Sequence, residues 1–89
     1  MNKIKRKELS KIGDRLSSAR DIIDYIKGDL EYILTEEEDT LNNMERFSGT
    51  DRYAAMEEAI DNMSDAVSTL EDAIDNIDNA IESIYNSQN

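Results

Sequence analysis

Nine apolar residues, spaced alternately four and three apart, constrain this chain more than anything else in it. They are Met56, Ile60, Met63, Val67, Leu70, Ile74, Ile77, Ile81 and Ile84. A 3.5-residue period sustained this long belongs to a helix packed lengthwise on another helix. Ala59, Ala66, Ala73 and Ala80 stand beside the seam, one per heptad. The sequence predicts that this alanine ladder lies in a close-packed antiparallel seam.

The first half carries a matching repeat: Leu9, Ile12, Leu16, Ala19, Ile23, Ile26, Leu30 and Ile33. Gly13 and Gly28 fall off that register and are expected on the outer side. Ile22, Tyr25 and Tyr32 widen the apolar stripe, which implies a second packing surface. At Thr35 the pattern changes. Glu37 and Thr40 occupy the next seam positions, while Leu34, Leu41 and Met44 continue on an adjacent face. Thr35-Glu36-Glu37-Glu38 also has the form of a capping box. Either the helix drifts at 3.6 residues per turn, the reading preferred here, or it breaks and restarts.

Ser48-Gly49-Thr50-Asp51 is the clearest stop signal. Gly49 suits a left-handed C-cap, Thr50 or Ser48 suits the next N-cap, and Asp51 suits that helix's positive end. The expected fold is therefore all-α. It is a single helical-hairpin domain over 1–89, with a helix from about 8 to 46, a turn at about 47–50 and a helix from about 51 to 86. A short third helix before the turn is an open alternative. Such a reversal sets residues whose numbers sum to about 98 beside one another. Lys11 and Arg15 would then lie near Asp78 and Glu82. Two helices side by side leave much of each stripe wet, so a homodimer is the expected state.

Charge narrows the function classes. The net charge is −11, yet residues 1–20 hold seven basic residues against Glu8 and Asp14, a net of +5. The remainder, 21–89, has nineteen acids against Lys27, Arg46 and Arg52, a net of −16. Such a field disfavours direct binding of nucleic acid and favours basic protein surfaces. There is no cysteine and no histidine, so thiolate chemistry and the commonest general base and metal ligand are missing. Helical carboxylate metal sites normally include histidine, and no EF-hand spacing is present. No catalytic residue, cofactor or metal is expected, and no enzymatic activity. No apolar run approaches a membrane span, and Glu8, Ser10 and Lys11 interrupt any apolar signal core after the basic start. A cytoplasmic protein without a membrane partner is the expectation.

The candidate partner-binding residues are Glu36, Glu37, Glu38, Asp39, Glu57, Glu58, Asp61 and Asp65. Carboxylates spaced along a rigid rod resemble the phosphates of a nucleic acid, and a basic groove would receive them. Plain solubility is the competing reading. Met44, Met56 and Met63 cluster near the turn, as core filling or as an adaptable docking patch.

The run Glu36-Glu37-Glu38-Asp39-Thr40-Leu41-Asn42-Asn43-Met44, followed by Tyr53-Ala54-Ala55-Met56-Glu57-Glu58-Ala59-Ile60-Asp61-Asn62-Met63, resembles short acidic proteins of phages and mobile elements of Gram-positive bacteria. Those proteins also begin Met-Asn-Lys with basic residues after it. The chain lacks the proline they often carry after Asn-Met. The resemblance implies a mobile-element origin. With the charge, it leads to the expectation of an inhibitor acting in a host cell, anti-CRISPR proteins being one such kind. Its partner would be the basic surface of a nuclease or other defence protein. Phe47-Ser48-Gly49 is similar to the Trp-x-Gly turn of small type VII secretion substrates, with phenylalanine replacing tryptophan. Their C-terminal Tyr-x-x-x-acid signal departs here, because it needs an acid four residues after Tyr85, where this chain has Asn89. A secreted hairpin of that kind, or an oligomeric coiled-coil structural protein, is the alternative.

Overall fold

The sum rule of the reversal is met by three side-chain pairs. In the computed structural model, which describes residues 1–88, Ser10 donates to the Gln88 side chain at 3.0 Å, Arg20 pairs with Asp78 at 3.0 Å, and Lys27 approaches Glu71 at 3.7 Å. The numbers of each pair sum to 98. Two helices produce this register: α1, Lys3–Asn42, and α2, Asp51–Asn86. They run antiparallel as a rod whose Cα extents are 67 × 15 × 13 Å.

The helix ends depart from expectation on α1. It starts at Lys3 rather than near residue 8, because the Asn2 side chain accepts from the Lys5 N–H at 2.9 Å and caps the first turn. It stops at Asn42 rather than near 46. There the backbone tightens, with the Met44 N–H donating to Leu41 and the Phe47 N–H to Met44. A single 3-10 turn, Glu45–Phe47, stands where a short third helix was the alternative. Gly49 follows with φ +91°, a conformation that side chains disfavour. It makes the sharp bend after the 3-10 turn instead of capping α1. Thr50 then caps α2, accepting from the Tyr53 N–H at 3.2 Å while its hydroxyl donates to the Phe47 carbonyl. The helix passes Thr35 unbroken, so the capping box there is unused.

The seam of α2 is the expected one. Val67 and Ile74 are buried, at 9 % and 5 % exposure, and the other seven positions are half-buried. On α1 the register differs. The positions turned toward α2 are 9, 13, 16, 20, 23, 27, 30, 34, 37, 41 and 44. Leu9, Leu16, Ile23 and Leu30 are shared with the expected seam, but Ile12, Ala19, Ile26 and Ile33 are exposed. Gly13, Arg20, Lys27 and Leu34 take the places expected for them. Gly13 is thus on the inner side, where an added Cβ would sit 3.9 Å from the Ile84 Cγ2. Gly28 faces open space, as expected.

This shift also accounts for the change of pattern at Thr35. Leu34, Leu41 and Met44 continue the register already set by Gly13, Arg20 and Lys27. Arg20 and Lys27 serve as seam residues because their aliphatic stems cover apolar surface while their charged heads reach past it to α2. The alanine ladder is displaced too. Ala59, Ala66 and Ala80 are exposed and Ala73 is half-buried, so the ladder flanks the α1–α2 seam rather than lying in it.

The register gives the hairpin two unlike sides. In a 3.5-residue repeat, a step of three turns the helix back by about 51° and a step of four advances it by about 51°. Antiparallel helices then bring the flank of Ile12, Ala19, Ile26 and Ile33 to the same side as Ala59, Ala66, Ala73 and Ala80. The opposite side carries Asp24, Glu31 and Glu38 from α1 and Glu57, Glu71 and Asp78 from α2. The cross-helix ion pairs form there.

Candidate functional site

Near the turn, two helices rich in carboxylates run together and little positive charge accompanies them. Residues 36–65 hold ten acids against Arg46 and Arg52, a net of −8. The open end, residues 1–20 with 78–88, carries seven bases against four acids, a net of +3. The rod is therefore charged oppositely at its two ends.

The eight candidate residues do not share one face. By the register, Glu38 lies level with Ile60, so Glu38, Glu57 and Asp61 meet on the polar side. Glu36 and Asp39 turn toward other sides of α1, and Glu58 and Asp65 toward the outer side of α2. Glu37 is half-buried in the seam, while the other seven are exposed. Together they form a collar around the turn end. Among the described residues, none of the eight is within ion-pair distance of a cation.

The cations instead serve the middle of the rod. Arg20 meets Asp78 at 3.0 Å, with Asp21 and Asp24 each at 3.6 Å. Lys27 meets Glu31, Glu71 and Asp24 within 4.0 Å. The hydrogen bond to Asp78, then its charge, raises the Arg20 guanidinium above its ordinary value. Lys11 and Arg15, expected near Asp78 and Glu82, form no ion pair among the described residues; Arg20 takes Asp78 because it occupies the inner register. Glu36, one turn beyond Tyr32, pushes that phenol above its ordinary value, chiefly by hydrogen bonding to the protonated form and further by its negative charge.

Asp24, Glu31, Glu71 and Asp78 were not among the candidate residues, yet they extend the acidic side of Glu38 and Glu57 along the rod. The seven-residue spacing of Asp24, Glu31 and Glu38 was the available signal. It places one carboxylate about every 10.5 Å along α1.

Met44, Met56 and Met63 are half-buried, which fits gap filling where the helices join. Met44 lines a small hollow with Phe47, Thr50 and Arg52, and the Arg46 guanidinium lies 4.9 Å from the Phe47 ring centre. Among the described residues no cluster of carboxylates is placed to hold a metal ion, and no helix is long and apolar enough to cross a membrane. No family model, characterised protein or solved structure matches the chain.

Proposed function

We propose that this protein is a non-enzymatic acidic binding module. Its turn end occupies a basic, nucleic-acid-handling surface of another protein, in the manner of a phage or mobile-element inhibitor of host defence. The observation that supports the reading is the collar of eight carboxylates without a cation partner among the described residues. Carboxylates left uncompensated on a rigid support raise a summed field that attracts basic surfaces. Such a crowd costs stability through like-charge repulsion, so it is a feature that folding alone does not favour.

The test begins with affinity capture from host extract, comparing the natural chain with a variant carrying E36Q, E37Q, E38Q, D39N, E58Q and D61N. A captured nucleic-acid-binding protein that is lost with the variant, released by rising salt and competed by DNA or RNA is the expected result. Capture that ignores both salt and neutralisation would refute it and shift attention to Met44, Met56 and Met63. The type VII-like alternative draws on the Phe47-Ser48-Gly49 reversal, where Gly49 adopts φ +91°. Secretion ATPase genes beside this one would favour it.

A further inference from the structure

Among the described residues, nothing in the chain covers the apolar side of the hairpin. Ile26 and Ile33 are about half exposed, at 51 % and 50 %, and Ile22 is 61 % exposed. Shallow hollows follow one another along this flank of α1, with Leu9 and Ile12 beside Lys5 and Glu8 in the first, Ile12, Leu16 and Ala19 beside Arg15 in the second, and Ala19 and Ile22 beside Asp14, Arg15 and Ser18 in the third. A heptad-spaced row of ridges and hollows is the surface that a further helix packs into. Beside it the Ala59, Ala66, Ala73 and Ala80 flank of α2 is low enough for a close second approach.

We infer that this side docks a second copy of the chain, head to tail, to give a four-helix bundle. Three observations select that occupant. The first is area. The chain exposes 6718 Å², whereas a compact 10.2 kDa monomer exposes about 5,300 Å². The excess of about 1,400 Å² exceeds the roughly 800 Å² per partner that a standard interface removes.

The second observation is self-complementarity. A two-fold axis perpendicular to the rod near residues 22 and 23 lays α1 antiparallel on its copy. Ile12 then opposes Ile33 of the second copy, and Ala19 opposes Ile26, large against large and small against large. By the 98 sum the same axis sets α2 residues whose numbers sum to 151 level with one another, so Ala73 and Ala80 of the two copies lie about 3 Å out of level and α2 finds a partner along with α1. The two rods overlap along α1 from residue 1 to about residue 44, and only the turns project beyond.

The third observation is charge, which sets the direction. Head-to-tail stacking puts each open end, net +3, beside a turn end, net −8. The basic segment 3–7 of one copy comes level with 38–42 of the other, where the acidic run 36–39 ends. The alternative two-fold, with like ends together, would set two −8 ends side by side, which electrostatics opposes. The polar side, with Asp24, Glu31, Glu38 and Glu57, remains outward in the bundle. The run 36–39 belongs also to the collar of the proposed function, so in the bundle that function falls to the carboxylates left outward; sedimentation and affinity capture report on the two readings separately.

Sedimentation equilibrium at micromolar concentration tests it. The natural chain should show about twice 10.2 kDa, and I26D with I33D should return the mass to that of the single chain with helicity retained, because both positions are open to water in the hairpin. Direction is read separately, since the chain has no cysteine. Mixing I12C with I33C protein under oxidation should give a disulfide between the two variants in preference to either with itself. A natural chain that sediments as a monomer, or a dimer untouched by I26D and I33D, overturns the inference. So does I12C joining chiefly to I12C. Should I26D with I33D lose helicity, the outcome of the I12C and I33C mixture decides.

Discussion

The two helices are nearly equal in length and both carry heptads, yet α2 turns nearly all its large apolar residues toward its partner and α1 leaves many of its own outside. Val67 and Ile74, the two buried side chains among the described residues, both belong to α2. On α1, Ile4, Ile12, Ile22, Tyr25, Ile26, Tyr32 and Ile33 are all exposed. The difference lies in the breadth of the stripe. The large side chains of α2 span two registers and one partner helix covers them, leaving only the alanine flank outside. The stripe of α1 extends over several registers, so one partner covers only its edge. A helix that is apolar over much of its circumference asks for more than one neighbour, and here only one is supplied by the chain itself.

The sharpest way to break the contrast is to destroy the side that is covered. Val67→Asp puts an unpaired charge at one of the two buried positions, which costs about 3–5 kcal/mol. For a two-helix chain of this size that is enough to abolish the cooperative unfolding transition by circular dichroism. A milder pair of substitutions measures the asymmetry itself. Ile74→Ala should cost about 2–4 kcal/mol. Ile33→Ala, tested at concentrations too low for association, should cost under about 1 kcal/mol because its side chain is already half in water. Repeating the urea titrations at higher concentration should narrow the gap, as the exposed stripe finds cover.

Glycine substitutions give a smaller effect and separate propensity from contact. Gly28→Ala faces open space, so it should stabilise by up to about 1 kcal/mol through helix propensity alone. Gly13→Ala should gain at least as much, because its Cβ would meet the Ile84 methyl group at 3.9 Å, an ordinary contact. A loss of stability at Gly13 would show that the helices approach more closely there than this register allows.

The smallest effect is a titration. Tyr32 should ionise above its ordinary value of 10.0 because of Glu36, and E36Q should bring the spectrophotometric midpoint back down. The folded phenol holds its proton to higher pH than the unfolded one. Its contribution is therefore present below about pH 10 and is lost as pH rises through the raised value. An unchanged midpoint in E36Q would show that Glu36 does not reach the hydroxyl.

The legibility of the sequence follows the same division. On α2 every inner position is apolar, so periodicity and burial agree and the seam was legible residue by residue. On α1 the inner register passes through Gly13, Arg20 and Lys27, residues that a hydrophobicity pattern skips. The isoleucines at 12, 26 and 33 drew the expected seam onto the neighbouring flank. The acidic residues were legible as a group, but their faces were not. A helix distributes consecutive carboxylates such as Glu36, Glu37, Glu38 and Asp39 around its axis, and only the register of the pair says which of them meet Glu57 and Asp61.

The sequence by itself determined the two helices, the reversal near Gly49, the pairing of residues whose numbers sum to 98, and the opposite charges of the two ends. Those features are local or follow from connectivity: heptad spacing, capping side chains and the position of the one glycine with positive φ. The tertiary structure alone decided which edge of the broad stripe on α1 meets α2. That choice rests on a comparison no local rule makes. Turning Arg20 and Lys27 inward covers apolar surface with their stems and pairs their charges with Asp78 and Glu71. It leaves the isoleucines of the other edge, and the alanines of α2 beside them, facing outward together.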